Sequence, residues 1–487
     1  MTAETISPTD PQAADIAGTD IVLVVDLDGT LCRTDTLHEA VLDLTATDPV
    51  KLLRLPGWVR EGRAELKAHL ADRGVIDPDT LPLNEAVVAA VTAARADGRR
   101  TALVSAADHR QVTAVAEATG LFDEAYGSAD GVNLKGPDKA AFLIDRYGAG
   151  GFDYMGDSKA DAPVWAAAQR AITVGASLSM RRVAEAANPA AHHLDPPEGQ
   201  GRAMLKAMRP HQWSKNILLF LPVFAAHDLS RLPMVLLGVL AFCLTASAVY
   251  VINDLLDLPS DRAHPRKCKR PFAAGDLSAT TGIAMAAVLL LTALILGLST
   301  GNPAFLGVLC LYFTATFAYS LWLKRKLIID VLTLAGLYTV RIIAGGAAAS
   351  VMLSPWLLGF SMFLFLALAA IKRQAELTDQ MVSGRESAGR AYEVEDLPIL
   401  RGMAIAAGQA AVLVLALYVS SDDVLVLYTR PWALWLIAPL LLYWLMRMVM
   451  KTHRGLMTDD PIVFAATDRV SLLIIMACIA VTLTAAL

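Results

Sequence analysis

The 487-residue chain predicts two parts of unlike character, an N-terminal α/β domain and a C-terminal all-α bundle of about nine membrane-spanning helices. Three observations predict it. With 55% hydrophobic and 18% charged residues, the composition is too apolar for a wholly soluble protein. Residues 1–200 carry 18 Lys+Arg against 30 Asp+Glu, net −12, whereas the remainder carries 24 against 17, net +7. An acidic head therefore precedes a basic body. From about 215 onward, apolar stretches long enough to approach or span a bilayer recur near 216–230, 233–253, 280–299, 303–322, 327–347, 355–371, 401–419, 431–449 and 470–487.

Boundaries follow from the same reading. Residues 1–19 are small, polar and acidic, which predicts a disordered leader rather than a signal peptide. The α/β domain is expected over 20–187. A linker over 188–202 follows, rich in Pro, Gly and polar residues, with its paired histidines in solvent, and the membrane part runs over 203–487. The five cysteines have no metal-ligand spacing and suit a reduced compartment. Basic residues collect in alternate loops: Arg262, Arg266, Lys267, Lys269 and Arg270; Lys324, Arg325 and Lys326; Lys372, Arg373, Arg385 and Arg390; Lys451 and Arg454. These loops are expected to face the cytoplasm, on the same side of an inner or plasma membrane as the head. The lipid bilayer is one expected partner, and no nucleic-acid partner is expected.

In the head, "IVLVVDLDGTL" is an apolar strand running into DxDGT, with Asp26 and Asp28 leaving the strand end on one side. "TALVS" ends a second strand at Ser105, "KGPDK" offers Lys135 and Lys139 before a helix, and "FDYMGDSKAD" ends a strand at Asp157 and Asp161. Four such pieces in this order resemble the haloacid dehalogenase-like phosphatases, whose fold is Rossmann-like. The resemblance implies Asp26 as nucleophile and Asp28 as general acid and base. It further implies Ser105 and a lysine on the phosphate, and Mg²⁺ held by Asp26, Asp28 through its backbone, and Asp157, with Asp161 beside them. Lys139, which begins the helix, is favoured over Lys135. The amphipathic segment 36–97 is expected to form a small helical cap over the site.

In the body, "NDLLDLPSDRAHPRKCKRP" follows the second span. Asp254, Asp257 and Asp261 fall at i, i+3 and i+7, one face of a helix, and Pro259 is expected to kink or end that helix and leave Asp261 in the loop. A carboxylate deep in lipid costs roughly 2.5–3.5 kcal/mol, so several together need a cation or a water-filled cavity. Oxygen clusters of this kind suit Mg²⁺ with substrate phosphates.

"NDLLDLPSD" resembles the first signature of the UbiA-type intramembrane prenyltransferases. Their second signature carries two Asp residues four apart, but here Leu334 stands where the partner of Asp330 is expected. "MRPHQWSKN", "ASAVYVINDLLDLPSDRAHPRKCKRPFAAG" and "YTVRIIAGG" resemble one branch, the decaprenyl-phosphate phosphoribosyltransferases. That resemblance implies phosphoribosyl pyrophosphate as donor and a polyprenyl phosphate as acceptor. It places the metal and pyrophosphate on Asn253, Asp254, Asp257 and Asp261, with Lys267, Arg270 and Lys324 neutralising phosphates. Arg341 is expected in the bundle interior, either on the acceptor phosphate or paired with Asp330. Lys372, Arg373 and Glu376 read as a helix end, and Tyr319 as an interfacial aromatic.

Together the two halves predict a bifunctional enzyme making polyprenyl-phosphoryl-ribose, the head removing the 5-phosphate. Two alternatives stand beside it: an aromatic-acceptor prenyltransferase with an independent phosphatase, and a transporter or scaffold with a regulatory head.

Overall fold

The computed structural model describes residues 21–487 other than 130, 195–198, 384–390, 423, 425–427 and 458–459. The expected leader, residues 195–198 of the expected linker, and Arg385 and Arg390 lie outside the described residues. The chain forms two compact units. One runs to Met208 and includes Tyr250–Ala286; the other comprises Arg209–Val249 and Ala287–Leu487. The acidic segment 253–261 thus groups with the α/β domain rather than with the remaining membrane helices.

In the first unit, six parallel strands lie in the order β3-β2-β1-β4-β5-β6, with β1 Val22–Val25, β2 Thr101–Asp108, β3 Glu124–Ser128, β4 Phe152–Gly156, β5 Ala171–Val174 and β6 His192–Leu194. Strand β1 is an unbroken apolar run because both its faces are covered. Leu23 and Val25 enter the core on one face, and Val22 and Val24 enter the core on the other. The stretch expected as linker, 188–202, contains the edge strand β6, paired with β5, and His193 bonds Thr173 and Glu185 rather than standing free in solvent.

The cap is shorter than 36–97. Helices Thr36–Thr47, Leu55–Glu61 and Arg63–Ala71 share a small core of Leu44, Leu66 and Leu70. Helix Glu85–Ala96 instead packs Val87, Ala90, Val91 and Ala94 against the sheet.

Among the described residues, eight helices are long and apolar enough to cross a membrane: Leu229–Leu256, Ala279–Ser299, Pro303–Leu321, Ile329–Ala349, Pro355–Met381, Val394–Val419, Pro431–His453 and Arg469–Ala486. The expected first span at 216–230 is not one of them. It folds as the 3₁₀ segment Pro210–Phe220 and the short helix Leu221–Ala225, where Pro222 supplies no N–H to a continuing helix.

Within the second unit, the residues "QWSKN" and "RIIAGG" meet. A Cβ on Gly345 would lie 2.0 Å from the Leu219 carbonyl oxygen, so only glycine lets these backbones approach so closely. Nearby, Arg341 Nε donates to Asn216 Oδ1 at 3.0 Å.

Lys372, Arg373 and Glu376 lie inside helix Pro355–Ser383 and do not end it. The fully buried Asp330 is ion-paired to Arg373, and Tyr319 donates to Asp330 Oδ1 at 2.8 Å, which makes Tyr319 part of a buried network. Removing one partner of a buried pair costs about 3–5 kcal/mol where the other charge is left uncompensated, and less here because Arg373 is also ion-paired to Glu376. Asp330→Asn is therefore expected to lower the melting temperature of the detergent-solubilised protein clearly. An unchanged melting temperature would show that Glu376 alone satisfies Arg373.

Candidate active site

Strand order changes direction at β1, which has β2 on one side and β4 on the other. Open parallel sheets bind ligands outside the carboxyl ends of the strands at such a point. Asp26 follows β1 directly, its N–H donating to the Met155 carbonyl of β4 at 3.0 Å. Carboxylate oxygens of Asp26, Asp157 and Asp161 lie within 4.8 Å of one another. Gly29 takes the left-handed φ of +75°, and a Cβ there would sit 2.3 Å from Asp157 Oδ2, so the glycine of DGT is needed for both its backbone and its emptiness.

Lys139, only 1% exposed, places Nζ 3.1 Å from Asp26 Oδ2 and 3.9 Å from Asp161 Oδ1. It also donates to the Tyr154 hydroxyl at 2.7 Å, which donates to Asp161 Oδ1 at 3.1 Å. Lys135 is exposed, so the structure brings Lys139 and not Lys135 to Asp26. Ser105 is buried at the end of the regular part of β2, its Oγ accepting from the Ala107 N–H at 3.2 Å.

Burial pushes the Asp28 carboxyl up to about 7, with the Asp35 charge adding, although the Thr36 N–H donates to it at 2.8 Å. Burial and the neighbouring Asp26 charge push Asp157 up to about 8. Asp26 is raised by burial against the pull of Lys139, with Asp161 adding. Buried carboxyls that resist ionising together are relieved by a divalent cation, and an all-oxygen set of this size fits Mg²⁺. A carboxyl titrating near neutrality, such as Asp28, is suited to giving and taking a proton.

The cap supplies a cation that carries no motif. Lys67 Nζ donates to the Ala106 carbonyl, next to Ser105, and to Asn133 Oδ1 at 2.9 Å. Only the fold, not its helical periodicity, locates it.

The second acidic cluster lies at the end of helix Leu232–Leu256. Pro259 does interrupt the helix, but Asp261 is not in a loop: it lies 1% exposed in the short helix Leu258–Ala263, which starts directly after Asp257. Arg270 bridges Asp254 Oδ1 at 3.2 Å and Asp261 Oδ2 at 2.5 Å, so it counters the carboxylates themselves. Lys267 Nζ stands 3.9 Å from Asp261 Oδ1. The buried Asn253 Oδ1 and Asp261 Oδ1 accept no hydrogen bond. Carboxylate and amide oxygens are the ligands a hard cation takes; among the described residues, the group of acidic side chains whose ligand atoms converge within 4.8 Å is Asp26, Asp157 and Asp161.

Lys324 lies on the turn Leu323–Arg325 of the other unit. Arg341, in that unit too, does not pair with Asp330. It is held by Asn216, by the Leu337 carbonyl and by the Tyr312 hydroxyl at 3.0 Å, and it stacks over the Tyr312 ring.

Residues 217–467 match the model of the UbiA prenyltransferase family. The chain is 37% identical over 461 residues to an uncharacterized protein of Sinorhizobium fredii, covering 92% of this chain and 88% of that one. It is 35% identical over 208 residues to a decaprenyl-phosphate phosphoribosyltransferase of Mycolicibacterium smegmatis, covering 41% of this chain and 64% of the relative. A solved structure of phosphoserine phosphatase, a phospho-aspartyl intermediate analogue, is similar with a TM-score of 0.27 and 16% identity, covering 39% of this chain and 99% of that one. The family match extends over half of the sequence, and the S. fredii relative aligns along nearly all of it: the chain belongs to the UbiA prenyltransferase family.

Proposed function

We propose that the protein is a membrane enzyme of two consecutive steps, phosphoribosyl transfer to a polyprenyl phosphate and removal of the 5-phosphate from the product. The observation that carries this reading is that one compact unit contains both the acidic segment 253–261 and the Asp26–Lys139 site. The similarity to decaprenyl-phosphate phosphoribosyltransferases supports the first step. Asp330 supports it as well, since it is committed to Arg373 and has Leu334 in place of a second carboxylate, which leaves the aromatic-prenylation reading without its second diphosphate site.

In the first step, an oxygen of the polyprenyl phosphate attacks C1 of the ribose, the bond from C1 to the pyrophosphate oxygen breaks, and pyrophosphate leaves. Asn253, Asp254, Asp257 and Asp261 would hold Mg²⁺, which neutralises the leaving pyrophosphate when bound. Arg270 would exchange its carboxylate partners for phosphate oxygens, with Lys267 adding positive charge.

In the second step, Asp26 attacks the 5-phosphorus, the P–O bond to the ribose breaks, and Asp28 gives its proton to the leaving 5-oxygen. Water then attacks the aspartyl-phosphate, Asp28 recovers a proton, and orthophosphate departs. Lys139 and Ser105 orient and neutralise the phosphoryl oxygens. Asp157, Asp161, the Asp26 carboxylate and the backbone of Asp28 would hold Mg²⁺, which neutralises the phosphoryl group when bound.

The reading is tested with detergent-solubilised protein, Mg²⁺, polyprenyl phosphate and ribose-labelled phosphoribosyl pyrophosphate. Wild type is expected to make a labelled lipid without 5-phosphate. Asp254→Asn is expected to make none, and Asp26→Asn to make a lipid that keeps the phosphate. No labelled lipid from a preparation that instead prenylates an aromatic acid would replace the reading with aromatic prenylation. For the head alone, Lys139→Met is expected to slow phosphate removal by about 10²–10³-fold, the usual cost of losing one preorganised electrostatic group. Lys135→Met should stay within about threefold of wild type on the same assay. Equal losses in the two variants would overturn the assignment of Lys139.

A further inference from the structure

One buried ion pair outside both sets of reacting groups joins them. Arg262 presents its guanidinium as a fork to Glu39, Nη1 to Oε2 at 2.7 Å and Nη2 to Oε1 at 2.6 Å, with side chains only 4% and 6% exposed. Bidentate pairs of this geometry fix orientation as well as distance.

Each partner sits one step from a site. Glu39 belongs to the first turn of helix Thr36–Thr47, where the Thr36 N–H bonds Asp28. Arg262 follows Asp261 in the short helix Leu258–Ala263, and its Nε donates to the Ala273 carbonyl at 3.2 Å. That third bond closes the loop 264–273 from which Arg270 reaches Asp254 and Asp261. Two further contacts lie on the same seam: Leu42 packs with Leu255, Leu258 and Phe272, and a Cβ on Gly275 would meet Arg33 Cβ at 2.7 Å.

We infer that Glu39, a residue of the phosphatase cap, is a positioning residue for the transferase site: through Arg262 it holds the segment 258–273 in the geometry that places Asp261 and Arg270. The assignment of a transferase role to that segment rests on the reading above, while the mechanical claim stands on the pair alone. The head is then part of the transferase rather than a passenger on it.

Glu39→Gln keeps the size of the side chain but turns an N–H₂ or a neutral oxygen toward the guanidinium fork. Hydrogen–deuterium exchange on the full-length protein is expected to show segment 258–273 exchanging at least tenfold faster in Glu39→Gln, with strand β2 unchanged. The exposed cap variant Glu61→Gln serves as control and should match wild type throughout. In the transfer assay, Glu39→Gln is expected to raise the KM for the donor and the Mg²⁺ concentration needed for half activity by about tenfold each, with kcat changed less. Hydrolysis of p-nitrophenyl phosphate by the head should stay within twofold of wild type.

Unchanged exchange over 258–273 would overturn the proposal whatever the donor proves to be. Faster exchange with unaltered KM and Mg²⁺ dependence would overturn it as well, because the pair would then hold a segment that the site does not need. Failure of wild-type protein to transfer phosphoribose would count against the proposed function, and the exchange measurement would still decide this one.

Discussion

A carboxylate taken out of water must find a cation, and the arrangement of this chain follows from that constraint. Asp26 is held by Lys139, Asp254 and Asp261 by Arg270, Asp330 by Arg373, and Glu39 by Arg262. These pairs differ in what surrounds them. Asp330 and Glu39 have their charge fully answered by arginine forks or by an arginine with a tyrosine, which suits structural work. Around Asp26 three carboxylates face one lysine, and around Asp261 a buried oxygen accepts no bond. At the first of these places negative charge exceeds positive charge, whereas Asp254 and Asp261 face both Arg270 and Lys267; the function proposed above puts a cation and a phosphate at each.

The first strand was readable because an unbroken apolar run and the DxDGT pattern that ends it both belong to a few adjacent residues. The same holds for the acidic segment after the helix ending at Leu256, whose spacing is local. Pro222 was equally visible, yet an apolar composition suggested a span where the chain forms 3₁₀ turns and a five-residue helix. Hydropathy reports the solvent a segment prefers, and a proline decides whether its backbone can cross as one helix. Likewise the His192–Leu194 stretch looked like linker because edge strands need few residues and little hydrophobicity.

What stayed hidden was pairing across long separations. Nothing local distinguishes Arg373 from a charge at a helix end, or tells whether Arg341 pairs with Asp330, until the helices are packed and Asp330 is seen on Arg373 and Asn216 on Arg341. Lys67 and Glu39 sit in an ordinary amphipathic cap, where charged residues mostly face solvent. Their partners, Asn133 in one case and Arg262 in the other, are 66 and 223 positions away. The choice between Lys135 and Lys139 was similar: four residues apart, both could be proposed, and burial against Tyr154 separates them.

The central claim is that one chain carries out transfer and then dephosphorylation on the same lipid. The most direct measurement is a time course of released phosphates from phosphoribosyl pyrophosphate labelled separately in its diphosphate and in its 5-phosphate, with polyprenyl phosphate present. The account predicts pyrophosphate first, orthophosphate from the 5-position after a lag, and equal final amounts of the two. Orthophosphate released without prior pyrophosphate, or pyrophosphate accumulating with the 5-phosphate never released by wild-type protein, would contradict it.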